Sequence, residues 1–355
     1  MSHPTCNVCK NFFGAVLLVA LASGCATPGV DLPPVPVGGP EMKSPPTRRA
    51  EPWAPRVPPP PPAPAPAPPR PARLDEEVLR LQLFLDRQHL SPGCLDGRWG
   101  PQTRHALRAW QAREGLPATG EWDEALRARL PPTDTAFTIH TVSAEDHAEL
   151  RPAPRGWREK AQADRLGHVS VLELVAERYH CTQRAIRELN PDVAWPNPAA
   201  GAVVRVPRVA TTARERAARV EIHLAGKYLQ VFDAEGRLAA HFPCSIARQV
   251  EKRPVGELKI VNAADEPNYT FDPELFADDP AAAGIGRRLL IPPGPNNPVG
   301  VAWLSLDRPG YGIHGTPHPE DIGRTESHGC FRLANWNARK LLGMVSIGTP
   351  VLVLE

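Results

Sequence analysis

Apolar residues change their spacing along the chain, and each change marks a different kind of element. Between residues 75 and 130, Val78, Leu81 and Leu85 recur at helical spacing. Ala106, Leu107 and Trp110 do the same on a second helix. Asp96-Gly97 is a turn signal between them, and Gly100-Pro101 starts the second helix with proline at its first position. Leu116-Pro117 and Thr119-Gly120 then lead into a third helix expected from Trp122 to Leu130. Residues 137–142 (F-T-I-H-T-V) alternate like a strand. An amphipathic helix follows over 171–179, Ile186 and Leu189 lie on another before Asn190-Pro191, and G-A-V-V-R-V-P is again strand-like. From Arg219 the period is two: V-E-I-H-L-A-G-K-Y-L-Q-V-F-D-A-E-G-R-L-A-A-H-F-P reads as three strands with turns at Gly226-Lys227 and Glu235-Gly236. Asn335 is expected to cap a helix over 336–345, and T-P-V-L-V-L-E closes the chain as a strand. The pattern predicts a multidomain α+β protein with a three-helix unit at 75–131, a small α/β module at 137–209 and a mainly-β domain at 218–355.

Two stretches before residue 75 lack such periodicity. Residues 1–24 carry Lys10, an apolar run from Phe12 to Ala22 and small residues at Ala22-Ser23-Gly24, the layout of a secretory signal. The run is too short to span a bilayer as a stable helix. The small residues immediately before Cys25 resemble a lipobox, which makes Cys25 the expected site of lipidation and the start of the mature chain. The alternative is an ordinary cleaved signal with Cys25 placed there by chance. Ala26, in place of Asp, favours sorting to the outer membrane. Cys6 and Cys9 fall in the presumed leader and are expected to be discarded. Residues 25–74 are dominated by Pro, Ala, Gly and Arg, including V-P-P-P-P-P-A-P-A-P-A-P-P-R-P. Such a segment cannot bury a core and favours extended polyproline II, reaching roughly 150 Å. It reads as a tether between a membrane anchor and the folded domains.

Composition narrows the functions open to the chain. Its 355 residues suffice for two or three modest domains, and 44 prolines are concentrated in the tether. A formal charge of +2 with both signs mixed argues against a nucleic-acid surface. Cys94, Cys181, Cys244 and Cys330 lie at wide spacings, which is not a dense disulfide framework. One or two bridges, a Cys244–Cys330 pair among them, remain open at this level.

The candidate chemistry lies in S-H-G-C-F-R-L, 327–333. An ordinary thiol is only a few per cent thiolate at neutral pH, so a nucleophilic Cys330 needs a base or a cation beside it. His314, in G-Y-G-I-H-G-T, and His328 are the candidates. Gly310, Gly312, Gly315 and Gly329 leave the backbone bare around both, and the amides of Gly329 and Cys330 suit an oxyanion site. Cysteine alone more often reads as a small buried hydrophobe, and the two glycine-rich histidine segments reverse that preference. A zinc site from His314, His318, His328 and Cys330 is disfavoured, because Pro317 and Pro319 forbid the helix that i,i+4 histidine ligands need. No cofactor or metal is called for. The long stretch from Phe271 to Gly286 beside this segment is expected to act as a lid.

Three resemblances follow from these motifs. The order D-G-x-x-G-x-x-T-x-x-A-L-x-x-W-Q within 96–111 resembles the peptidoglycan-binding domain family. The strand, two helices with L-N-P, and closing V-P strand of 137–209 resemble a LysM carbohydrate-binding module, stretched by an insertion at 151–167 and lacking the usual Gly-Asp-Thr turn. H-G-T-x-x-x-x-x-I-G-x-x-x-S-H-G-C-F-R-L resembles the signature of the L,D-transpeptidase catalytic domain (YkuD type), with G-P-N-N-P-V-G upstream and N-W-N-A-R-K-L-L-G-M-V downstream also matching. That resemblance implies Cys330 as nucleophile, His314 as its base oriented by a backbone carbonyl near Gly315, and an oxyanion site at Gly329 and Cys330. It implies substrate binding by Ser327, His328, Arg332 and Tyr311. The implied reaction releases D-Ala from a stem tetrapeptide and passes the acyl group to a neighbouring stem, forming a 3→3 cross-link. Water as acceptor would give a carboxypeptidase and a protein lysine a protein-to-wall ligase. A catalytically idle wall-binding lipoprotein is the rival of another class. The implied partners are peptidoglycan stems and strands and, through the anchor, a membrane of the periplasmic envelope; nucleic acid is not among them.

Overall fold

A computed structural model describes residues 74–130, 132–209, 215–276, 280–324 and 329–355. All fall in one compact unit, Pro69–Glu355. The leader, Cys25 and the tether lie outside the described residues, as do Ser327 and His328.

Helix α1 (Glu76–Arg87) starts at Asp75, whose carboxylate accepts from the amides of Glu77 and Val78. Helix α2 (Pro101–Arg113) has proline in its first turn, as expected. Together they bury Leu81, Leu85, Leu107 and Trp110. The third helix is shorter than the apolar pattern predicts: α3 spans Glu124–Arg127 only. Asp123 supplies the cap by accepting from the Leu126 amide, so Trp122 stays outside the helix and stacks on Trp99 instead, ring centroids 6.0 Å apart.

A short turn, α4 (Thr133–Ala136), leads into β1 (Phe137–Thr141), which pairs antiparallel with β2 (Val203–Pro207). Between them run α5 (Ala144–Ala148), α6 (Trp157–Gln162), α7 (Val171–Arg178) and α8 (Gln183–Leu189). Ser143, Ser170 and Thr182 each place a hydroxyl on the third helical amide of α5, α7 and α8 respectively. Leu172, Val175, Ile186, Val204 and Val206 form one core with Leu79 and Leu83 of α1. Helix α1 therefore buries two faces, Leu81 and Leu85 toward α2 and Leu79 and Leu83 toward this module.

The third region is built on a sheet. Its strands are β3 (Arg219–His223), β4 (Tyr228–Phe232), β5 (Leu238–Pro243), β6 (Gly256–Asp265), β9 (Ala302–Leu306), β10 (Gly312–His314), β11 (Phe331–Arg332) and β12 (Pro350–Leu354). Among the described residues they lie in the order β11-β10-β9-β6-β12-β3-β4-β5. The separate pair β7 (Tyr269–Phe271) and β8 (Leu289–Ile291) stands beside it. The sheet curls until its two edges meet. Ser245, just past β5, exchanges both backbone hydrogen bonds with Arg332 of β11, at 2.9 and 3.0 Å. Helix α9 (Asn335–Met344) packs across β6, β9 and β10. Phe242, Ile260, Leu304, Ile313, Phe331 and Leu341 fill the interior.

Asn335 does not cap α9. Ala334 occupies the cap position without a side-chain bond, and the Asn335 amide is turned inward to hold the loops at Val301 and Thr316. The insertion at 151–167 also has a structural role. Trp157 at the start of α6 lies flat on Phe271 of β7, centroids 4.0 Å apart, and Leu166 trades backbone hydrogen bonds with Pro293 and Asn296 of the G-P-N-N-P loop.

One buried cluster ties the three regions together. Asp86 of α1 accepts from Nδ1 of His180 (2.9 Å) and from Nζ of Lys340 on α9 (3.3 Å). Burial alone would raise the Asp86 carboxyl, and the charges of Lys340 and His180 outweigh it and hold the group well below the ordinary carboxylate range. Removing one partner of such a cluster strands the others. Asp86→Ala is therefore expected to cost about 3–5 kcal/mol in a denaturant titration; an unchanged midpoint would mean the cluster stabilises nothing.

His241 on β5 is buried, and neither of its ring nitrogens has a hydrogen-bond partner among the described residues. Burial lowers its pKa from 6.5 to about 3. The folded value lies below the unfolded one, so its effect on stability is nil above about pH 6.5 and grows unfavourable as pH falls from there toward about 3. His241→Phe should flatten that part of the stability–pH curve measured by chemical denaturation.

Candidate active site

The site forms where the curled sheet closes. Strand β10 carries His314, and β11 lies parallel to it with Ile313 opposite Phe331 and His314 opposite Arg332. That register sets Cys330, one residue before β11, beside Gly312. The Cys330 thiol lies 3.6 Å from the carbonyl oxygen of Gly310 and is partly exposed. Burial raises its pKa, opposed by the Gly312 backbone and by the charge of Arg332.

His314 is buried, and its Nδ1 donates to the carbonyl oxygen of Gly315 at 2.6 Å. Donation from Nδ1 leaves Nε2 with the lone pair, the ring atom that a base uses. Burial lowers the His314 pKa from 6.5 to about 4; the Gly315 bond works against that and the charge of Arg332 works with it. Trp303 of β9 stacks on the imidazole at 5.5 Å and donates its indole N–H to Ser305. A Cβ on Gly312 would come within 2.7 Å of that indole, so the glycine is needed for the ring to lie there.

Arg332 is half-buried and senses Cys330, Cys244 and Asp321. Tyr311 sits between Gly310 and Gly312, with the Arg308 guanidinium 4.9 Å over its ring. Gly329 lies in the bend before Cys330. Ser327 and His328 fall outside the described residues. The four described cysteines are thiols, so Cys330 and Cys244 are not bridged. No group of three or more His, Cys, Asp or Glu side chains among the described residues is placed to hold a metal ion.

Trp303 and Tyr269 lie outside the quoted motifs, and Asn335, inside the downstream one, holds the loops at Val301 and Thr316 in place of the expected cap. Tyr269 on β7 is pushed up to about 12 by burial, with the neighbouring charge of Cys330 adding to the shift. Tyr269 thus senses the charge state of Cys330 from the β7–β8 pair. Residues 277–279 of the expected lid lie outside the described residues.

Residues 217–353 match the YkuD family model, the L,D-transpeptidase catalytic domain. This part of the chain is a YkuD-type L,D-transpeptidase catalytic domain. Residues 75–130 match the model of a peptidoglycan-binding domain. Among similar proteins, one from Bacillus licheniformis named as the L,D-transpeptidase YkuD is 28% identical over 181 residues, 51% of this chain and 92% of its own length. Another, named as the L,D-transpeptidase YbiS of Escherichia coli K12, is 28% identical over 190 residues, 53% of this chain and 61% of its own. A crystal structure of an L,D-transpeptidase from Xylanimonas cellulosilytica covers 81% of this chain and 99% of its own at 19% identity, with a TM-score of 0.32. In this domain Cys330 lies just before β11 and His314 at the end of β10, two neighbouring parallel strands.

The two shifts have the same consequence: a raised thiol and a lowered imidazole rest as a neutral pair. The thiolate absorbance at 240 nm, taken as wild type minus Cys330→Ala, should titrate above the ordinary thiol value. A midpoint at or below neutrality would instead mean a preformed ion pair.

Proposed function

We propose that this chain is an envelope L,D-transpeptidase in which Cys330 attacks a peptidoglycan stem tetrapeptide. The observation that carries the reading is the Nδ1 bond from His314 to the Gly315 carbonyl, on a strand whose register brings Cys330 alongside. As the thiol attacks the carbonyl of the third, L-configured residue, its proton passes to Nε2 of His314. The amides of Gly329 and Cys330 receive the developing oxyanion. The bond to D-Ala breaks, His314 returns the proton to the departing amine, and a thioester remains on Cys330. A side-chain amine of a neighbouring stem then resolves the thioester and closes a 3→3 cross-link. Arg332, whose charge acts on the thiol, binds the stem with Tyr311, Ser327 and His328, Arg332 taking its carboxylate.

The remaining regions are read in the same frame. Residues 1–24 export the chain, and lipidated Cys25 holds it at the outer membrane. The tether at 25–74 lets the folded part reach the wall. Residues 75–131 bind peptidoglycan. The module at 137–209 is a LysM-like glycan-binding unit, supported by its paired outer strands with α7 and α8 between them.

The test is intact-mass analysis of a fragment from Ala26 onward incubated with purified disaccharide-tetrapeptide. The expected result is an acyl adduct on Cys330, D-Ala release and cross-linked dimers, all abolished by Cys330→Ala. An adduct with D-Ala but no dimers assigns water or a protein as acceptor. No adduct on a confirmed thiol overturns the enzyme reading in favour of a wall-binding protein.

A further inference from the structure

Helix α7 belongs to the 137–209 module, yet one of its side chains reaches the catalytic base through two steps. The Glu177 carboxylate accepts from Nδ2 of Asn335 at 3.1 and 3.2 Å. The same nitrogen donates to the carbonyl oxygen of Pro295 at 3.1 Å. On the other side of the amide, Oδ1 accepts from the backbone N–H of Thr316 at 3.0 Å and of Val301 at 3.3 Å. Both donors and both acceptor positions of Asn335 are thus in use, and only one orientation of its amide satisfies all four.

Thr316 N–H and Gly315 C=O are the two ends of a single planar peptide unit. Asn335 grips the first end, and Nδ1 of His314 donates to the second. Rotation of that plane would move the acceptor away from the imidazole. The fit leaves little slack: a Cβ would lie 2.3 Å from Asn335 Oδ1 at Gly315 and 2.0 Å from it at Gly300. Glu177 is itself partly enclosed, with Nε2 of His168 3.7 Å from its carboxylate.

We propose that Glu177 is a positioning residue for the catalytic base. It fixes the Asn335 amide, Asn335 fixes the Gly315–Thr316 peptide, and the carbonyl of that peptide fixes the tautomer and rotation of His314. The module at 137–209 then completes the active site of the neighbouring domain, whether or not it binds glycan.

The proposal rests on the reading of Cys330 and His314 as nucleophile and base. Its test avoids wall peptide. Alkylation of Cys330 by iodoacetamide forms an S–C bond and breaks the C–I bond; iodide leaves and the thiol proton passes to His314. The rate is followed by peptide mass in the full folded chain from pH 3 to pH 9, a range that spans the lowered His314 value. Glu177→Ala should slow alkylation at pH 7 about tenfold, part of the 10²–10⁴ that a positioned base contributes. It should also shift the acid limb of the profile to lower pH, because a loosened Gly315 carbonyl favours the imidazolium less. Glu177→Gln keeps an acceptor oxygen and should recover most of the rate. The double variant Glu177→Ala/Asn335→Ala should be no slower than Asn335→Ala alone. Asn296→Ala serves as the control for docking, since Asn296 Nδ2 donates to Gly167 and Glu173 of the module and its side chain makes no bond to Glu177, Asn335 or His314.

A wild-type rate and acid limb in Glu177→Ala would overturn the proposal. So would an equal slowing by Asn296→Ala, which would reduce Glu177 to a docking contact. A chain that alkylates in this pattern but forms no adduct with tetrapeptide would sink the transpeptidase reading and leave the positioning role intact.

Discussion

Two backbone hydrogen bonds between Ser245 and Arg332 close the curled sheet on which the site depends. An open sheet ending at β11 would present a two-residue edge strand with little to hold it in register. Closure onto Ser245 pins Arg332 from the side opposite β10. Cys330 is then delivered to a fixed place because the residue two positions on is held by both neighbours. The Ser245 hydroxyl extends the same restraint by accepting from the Gly323 amide in the loop between the two catalytic strands.

The electrostatics of the site follow from its depth. His314 is held away from water under Trp303, which keeps the imidazole neutral and its Nε2 lone pair available. The same burial leaves the thiol protonated at rest. Neutral groups avoid burying two charges at rest, and in the proposed reaction charge develops only as the thiol attacks, where the amides of Gly329 and Cys330 would receive it.

Much of the fold was legible in the sequence. The alternating run from Val220 to Phe242 gave β3, β4 and β5 with their turns, and the glycine-rich histidine segments fall on β10 and at the start of β11. Local patterns failed where tertiary contacts decided. Trp122 continued an apolar spacing, but Asp123 was the better cap and a stacking partner stood at Trp99. Asn335 had the chemistry of a cap and was spent on long-range partners at Thr316, Val301 and Glu177. Tyr269 and Glu177 lie far in sequence from the cysteine motif, and no periodicity or spacing could tie them to it.

The Asp86 cluster has a consequence for how the enzyme meets a polymer. It joins α1 to α9, which packs on β6, β9 and β10, through a contact too buried to exchange readily with water. A sheet and a wall-binding helix pair connected only by a loose linker would search independently. Joined in this way, a single capture event by the helix pair raises the local concentration of wall peptide at the thiol, and the offset between the strand that is grasped and the stem that is cut becomes a fixed length of the molecule.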